Sequence, residues 1–114
     1  AMDHAPRLKA EIWVKALIRR AEVGGASAMV VRRGDNTSGV VLVKLSTPDR
    51  RARVLTPTRS GDGTLQWMAG TGPEPVADGD AEAYVARQRK FDPDIWVVEI
   101  EDREGRHFLQ EPVV

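Results

Sequence analysis

Apolar residues recur at helical spacing near the start of the chain. The positions that share this spacing are Ala10, Trp13, Val14, Leu17, Ile18 and Ala21. Intervals of three and four residues put them on one face of an α-helix, so the pattern predicts an amphipathic first helix. Gly24-Gly25 supplies a stop that can adopt positive φ. Apolar and polar residues also alternate from position 8 to position 14, so an extended start to this segment is a second interpretation.

Short runs of apolar and β-branched residues follow, separated by turn-forming residues. These runs cover residues 28–33, 40–45, 51–56 and 64–69. The first two flank a cluster of turn formers at 34–39, which predicts a β-hairpin with a long loop. The other two predict strands that extend the sheet as a meander. We expect Pro57 to limit the third strand, because proline cannot donate a hydrogen bond to a ladder.

A second helix and a buried strand are predicted in the last third of the chain. Residues 70–79 contain prolines and glycines and predict a loop. Asp78 or Asp80 can then cap a helix. Pro93 disfavours helical backbone in the residue before it, so the helix is expected to end near Phe91.

Both faces of residues 95–100 are mostly apolar. This pattern predicts a central strand that a helix covers on at least one side. Residues 106–109 predict a short last strand. The chain is thus predicted to form an α+β fold, a mainly antiparallel sheet of about five strands packed by two helices.

The length of 114 residues suits one domain. We expect that domain to span residues 7–112, with a disordered N-terminus at 1–6. Ala1 precedes Met2 and is interpreted as a cloning remnant. The N-terminus lacks a basic segment followed by an apolar run, so a signal peptide is not expected. No apolar run approaches the roughly 20 residues that span a bilayer, so no membrane association is predicted.

Charge and cysteine content narrow the function further. The 17 basic and 17 acidic residues balance, which gives no overall attraction to nucleic acid or to anionic lipid. The chain has no cysteine, which excludes disulfides, thiolate metal sites and cysteine nucleophiles. A reducing compartment is consistent with this composition, and we expect a cytoplasmic protein.

The densest group of possible metal ligands lies near the C-terminus. It comprises Asp92, Asp94, Glu99, Glu101, Asp102, Glu104 and His107. The segment is superficially like the PD...ExK pattern of restriction-type nucleases. However, only four residues separate Asp94 from Glu99, and the position two after Glu99 is not lysine. We therefore interpret these acids as a helix stop and a solvated turn. No catalytic, cofactor-binding or metal-binding residue is predicted, and a metal-assisted hydrolase is the third hypothesis.

Charges along the same segment separate by sign, which is typical of a binding surface. The candidate interaction surface comprises Arg87, Arg89, Lys90, Asp92, Asp94, Glu101 and Asp102. We expect its bases to pair with its acids within the fold or across a dimer.

A second set of bases, Arg32, Arg33, Arg51 and Arg53, forms a candidate polyanion patch. The six aromatic residues are not interleaved with the basic runs, so a base-stacking surface is weakly supported. The three tryptophans, Phe91 and Phe108 are predicted to be core.

Three segments of the chain are distinctive: RLKAEIWV at 7–14, VRRGD at 31–35 and RQRKFDPDIWVVEIED at 87–102, the last being the most specific. Together they resemble a family of short bacterial proteins classed only as a domain of unknown function. The resemblance implies a small, stand-alone, cytoplasmic bacterial protein. It brings no activity, cofactor or catalytic residue with it.

The leading hypothesis is a non-enzymatic protein-interaction module that forms a homodimer. It rests on the lack of a nucleophile, a histidine pair or a phosphate loop in the sequence. The alternative is binding of nucleic acid or another polyanion through the arginine clusters.

Overall fold

Residues 9–114, which the computed structural model describes, form two helices and six strands. In chain order the elements are α1 (Ala10–Val23), β1 (Ser27–Arg32), β2 (Val41–Thr47), β3 (Arg51–Arg59), β4 (Leu65–Ala69), β5 (Val76–Ala77), α2 (Asp78–Phe91) and β6 (Trp96–Glu101). The predicted α+β class and mainly antiparallel sheet are confirmed, with six strands in place of about five. Expectations for residues 1–6, including the remnant at Ala1, lie outside the described residues. Neither helix of this range is long and apolar enough to cross a membrane.

The sheet has the order β1-β6-β2-β3-β4, and the short β5 pairs with β3. β6 runs antiparallel to β1 and parallel to β2. The predicted central position of β6 is therefore confirmed. The predicted hairpin between residues 28–33 and 40–45 is wrong, because β6 lies between the two strands. Val98 pairs with Val30 on one side and with Val43 on the other.

The meander formed by β2, β3 and β4 is confirmed, but β3 continues through Pro57 to Arg59. Pro57 lies opposite Trp67. The Trp67 N–H donates to the Pro112 carbonyl at 2.9 Å, and its carbonyl accepts from the Val114 N–H at 2.7 Å. The backbone groups of Trp67 thus point away from β3, so the ladder requires no N–H from Pro57 at this position. The last strand predicted at 106–109 is also wrong, since that segment is irregular.

The helices cover opposite faces of the sheet. Helix α1 confirms the predicted apolar face, with Val14, Leu17 and Ala21 buried, and the extended alternative is wrong for residues 10–14, which are helical. This face packs on Val43, Leu45, Leu55, Val98 and Ile100. Helix α2 packs on the alternate residues of the same strands, namely Leu42, Ala52, Val54 and Val97. The face beneath α1 is called the α1 face below, and the other the α2 face.

Both helix ends follow from local backbone chemistry. Gly25 has φ +93° just after α1, as the predicted glycine stop requires. Helix α2 ends at Phe91, as predicted, and Asp92 is extended. The predicted aspartate cap is wrong: the N-cap residue is Ala77, and no side chain caps the helix. The Asp78 carboxylate instead contacts the amino group of Lys44.

Candidate interaction surface

The outer side of β1 is a free edge of the sheet. β1 pairs with β6 alone, and within residues 9–114 no strand pairs with its other side. The opposite edge of the sheet is different, because residues 112–114 run along β4 and bond to both backbone groups of Trp67. A free edge presents unpaired N–H and C=O groups, which can pair with a strand of another chain.

The side chains of β1 leave this edge accessible. Ala28 and Val30 turn towards the α1 face and pack against its core. Met29 points to the α2 face, where its exposed fraction is 60%. Between Val30 and Arg32 the pairing with β6 shifts by one residue, which is a β-bulge. Apart from this bulge, β1 has no proline and no inward-pointing charge that would block pairing.

A shallow groove of about 170 Å³ lies beside β1 on the α2 face. It is lined by Ser27, Ala28, Met29, Glu99 and Glu101. The core under helix α2 covers the β6–β2–β3 part of this face and also contacts Val31 at the bulge of β1, whereas the strip beside Ser27 and Met29 stays open. The free edge therefore borders an open strip of the sheet.

Opposite charges mark the two ends of this strip. Arg32 is paired in register with Val97, and Ser27 with Glu101. Cross-strand partners share a face, and Val97 faces α2, so the Arg32 side chain lies on the α2 face. Glu101 lies four residues after Val97 on the same strand, so its side chain is on the α2 face as well. Both are exposed, and neither forms an ion pair with another residue of 9–114. The strip is thus basic at one end, apolar at Met29 and acidic at the other end.

A buried lysine attaches α2 to the sheet next to the strip. Lys44 lies in the middle of β2 with only 3% of its surface exposed. Its amino group lies 2.6 Å from a carboxylate oxygen of Asp78 and 2.7 Å from one of Glu82. Glu99 is 3.9 Å away and accepts a hydrogen bond from the Ser46 hydroxyl at 2.9 Å. Burial alone would lower the pKa of Lys44, but the two hydrogen-bonded carboxylates raise that pKa above 10.5, so the lysine stays charged.

The residues of the predicted interaction surface lie at two opposite ends of β6. Arg87, Arg89, Lys90, Asp92 and Asp94 lie at the end of α2 and in the turn that follows. Glu101 and Asp102 lie at the far end of β6, about 20 Å away at 3.3 Å per residue. Among the described residues, no ion pair joins these bases to these acids. The structure therefore does not bring the two halves together.

Asp102 is engaged within the protein. It is 4% exposed and accepts hydrogen bonds from the guanidinium and the backbone N–H of Arg106. The Glu104 N–H donates to the same carboxylate. These bonds, chiefly those from Arg106, lower the pKa of Asp102 to about 2. Arg106 also donates to the Gly24 carbonyl at 3.1 Å, which links this turn to the end of α1.

The arginines of the predicted polyanion patch do not converge either. Arg32 and Arg33 lie near the start of β6. Arg51 pairs with Thr47, which lies beyond the other end of β6. Arg33 is already bound, with its guanidinium 2.5 Å from Glu11 and 4.9 Å from the centre of the Trp96 ring. Arg53 follows Arg51 on β3, so the four arginines form two separate pairs.

The aromatic residues are mostly core, as predicted, with one exception. Trp67 and Trp96 are 2% and 1% exposed, and Trp13 and Phe108 pack against the same core. Phe91 is 86% exposed, so its predicted burial is wrong. It is the last residue of α2, beyond the turn that faces the sheet, among the charged residues of the predicted surface.

The acidic residues near the C-terminus point to different places. Asp92 binds the Asp94 N–H, Asp102 binds Arg106, and Glu99 faces Lys44. In the part of the chain that the structure describes, no three His, Asp or Glu residues are arranged to hold a metal ion. His107 is partly buried, and its Nδ1 accepts the Leu109 N–H at 2.9 Å.

Sequence reasoning missed Met29 and Lys44. Lys44 could have been noticed as the one charged residue inside the apolar run 40–45, with Asp78 and Glu82 four residues apart on one side of the predicted helix. The importance of Met29 has no local signal, because it depends on which strand forms the edge.

Comparison with family profiles and solved structures shows which proteins this chain resembles. Residues 8–110 match the profile of the family described as protein of unknown function (DUF1491). The chain belongs to this family. A crystal structure of a DUF1491 family protein from Caulobacter crescentus is 51% identical, with a TM-score of 0.86 over 95% of this chain and 100% of that one. An NMR structure of a family protein from the same organism is also 51% identical, with a TM-score of 0.83 over 94% of this chain and 96% of that one.

A solution structure from A. tumefaciens extends the comparison. It is 30% identical and has a TM-score of 0.78, covering 93% of this chain and 95% of that one. No curated protein matches the chain. The family assignment agrees with the predicted resemblance, and the family description names no activity.

Proposed function

We propose that this DUF1491 protein is a non-enzymatic protein-interaction module that pairs through β1 with a second copy of itself. The observation that carries the proposal is the free edge of β1, with exposed Met29 between opposite charges. Pairing two β1 edges would satisfy their open N–H and C=O groups and would join two sheets into one.

The charge order of the strip suits antiparallel self-pairing. A two-fold axis perpendicular to the sheet keeps both α2 faces on one side and reverses the second strand. Met29 then lies opposite Met29 of the second copy. Arg32 of each copy approaches Glu101 of the other, about 10 Å away at two strand spacings, which long side chains can bridge. A parallel arrangement would place like charges side by side.

The size of this contact favours a weak dimer. A six-residue edge with one exposed apolar side chain buries less area than a standard stable interface. We expect a dissociation constant of about 10 to 100 micromolar, in the range of transient complexes.

The chain has no cysteine, and we propose that it functions in the reducing cytoplasm.

Sedimentation velocity or light scattering across this concentration range tests the proposal. We expect the native protein to shift from monomer to dimer and Met29→Lys to remain monomeric, because two lysines would face each other. Met68→Lys is the matched control, since Met68 is 43% exposed on β4, at the covered edge of the sheet. A native protein that stays monomeric at about 500 micromolar, far above the expected constant, contradicts the proposal.

Charge reversal tests the antiparallel geometry. Arg32→Glu and Glu101→Arg should each weaken the dimer, and the double variant should restore it, since its pairs are again complementary. If the double variant is no better than the single ones, β1 does not pair in this way.

A further inference from the structure

A second cavity lies far from β1, between the start of α1 and the β3–β4 end of the sheet. Its volume is about 450 Å³, within the usual range of small-molecule sites. Its floor is apolar and is formed by Ala10, Trp13, Val41, Pro57, Leu65 and Trp67. The rings of Trp13 and Trp67 stack with their centres 5.7 Å apart. The floor therefore combines aliphatic side chains with a stacked aromatic pair.

The loop that follows β1 forms one wall of this cavity. The first N–H groups of α1, those of Ala10 and Glu11, donate to the carbonyls of Thr37 and Asn36 at 3.2 and 3.1 Å. These bonds fix the loop against the helix and also occupy the helix N-terminus. These two N–H groups are therefore not available to an anion in the cavity.

Two cations line the rim of the cavity. They are Lys9 and Arg59; Thr37 and Ser38 also line the cavity, and the Ser38 hydroxyl already donates to the Asp35 carboxylate at 3.1 Å. Within residues 9–114, no carboxylate lies within ion-pair distance of either cation. Arg59 donates to the Gly63 carbonyl at 3.1 Å through one nitrogen, which leaves other donors of the guanidinium. The polar rim is thus positively charged above an apolar floor.

We propose that this cavity binds a small apolar carboxylate. The hydrocarbon or ring of the ligand lies on Trp13, Val41 and Leu65, and its carboxylate lies between Lys9 and Arg59. An inorganic anion would leave the apolar floor unused, and a neutral hydrocarbon would leave both cations without a partner. A carboxylate on an apolar body satisfies both parts of the site.

Titration of isotope-labelled protein with octanoate, followed by the indole N–H signals of Trp13 and Trp67, tests this site. We expect saturable shifts with a dissociation constant of about 1 mM or lower, which suits a ligand of this size. Octanamide has the same chain without the charge, and it should bind at least about 10-fold more weakly.

Paired variants separate a specific site from general charge. Lys9→Gln with Arg59→Gln should weaken octanoate binding at least about 10-fold and leave octanamide binding unchanged. Lys15→Gln with Arg19→Gln is the matched control, since it removes the same charge from exposed positions of α1. Absence of shifts at Trp13 and Trp67, equal binding of the two ligands, or equal weakening by the control pair overturns the proposal. Each result is independent of dimerisation, because β1 lies at the other edge of the sheet.

Discussion

Replacement of Lys44 by methionine tests the ion cluster that attaches α2 to the sheet. Methionine retains most of the buried aliphatic stem, so the change mainly removes the charge and its hydrogen bonds. The lysine makes short contacts to Asp78 and Glu82 at 2.6 and 2.7 Å. After the substitution these two carboxylates and Glu99 remain close together without a cation.

The magnitude follows from the number and exposure of these bonds. A hydrogen bond to a charged group contributes about 1.5 to 3 kcal/mol. The side chains of Asp78 and Glu82 are each 51% exposed, so water can hydrate them in the variant, and the low end applies. We expect Lys44→Met to lower the free energy of unfolding by about 2 to 3 kcal/mol. Lys15→Met, at an exposed position of α1, should change it by less than about 0.5 kcal/mol.

Denaturant unfolding at several pH values provides the assay. The pKa of Lys44 in the folded protein is raised above 10.5, the ordinary value that it regains on unfolding. The stabilisation is therefore complete below pH 10.5 and is lost as the pH rises through the higher folded pKa. The difference between the native protein and Lys44→Met should thus be constant from about pH 7 to 10 and shrink above that. A loss below about 1 kcal/mol at pH 7 would refute this reasoning. It would mean that the desolvation of the buried charge costs as much free energy as its hydrogen bonds contribute.

Two further predictions concern the glycine loop and the acidic turn. Gly34→Ala should lower the free energy of unfolding by about 3 kcal/mol in chemical denaturation, because a Cβ there overlaps the Asp94 carbonyl. Gly61→Ala is the control and should be nearly neutral, because the space around Gly61 is open. Equal effects of the two substitutions would mean that the loop at Gly34 shifts easily. Asp102→Asn should lower the denaturation midpoint at pH 7. The pKa of Asp102 is about 2 in the folded protein and 3.8 ordinarily, so the extra stability of the native protein over the variant should persist above pH 3.8 and vanish towards pH 2. A stability difference that is unchanged at pH 2 would show that Asp102 is not the titrating group.

Local patterns predicted the helices well because their causes are local. Helix α1 has an apolar stripe and a glycine stop, and both act within a few residues. Pro93 ended α2 where expected for the same reason. The aspartate cap failed because the carboxylate of Asp78 has a competing partner, Lys44, which lies far away in sequence.

Strand order and the candidate sites depended on contacts that no local pattern encodes. The turn-forming loop between β1 and β2 predicted a hairpin, yet β6 occupies the space between them. Pro57 fits in β3 because Trp67 bonds to the C-terminal segment and because the pairing of β3 with β2 ends at Leu55. The aromatic cavity likewise depends on Trp13 and Trp67 meeting across 54 positions of sequence.

The insertion of β6 between β1 and β2 constrains how the chain folds. Val30 and Val43 are close in sequence, but both pair with Val98. This part of the sheet therefore cannot form until β6, which is distant in sequence, pairs with both strands. Such a topology has high contact order, and we expect folding on a millisecond-to-second timescale. The local hairpin that the sequence favours is then a competing pairing during folding. Packing of α1 against Ala28 and Val30 can hold β1 in place until β6 displaces water between the two strands.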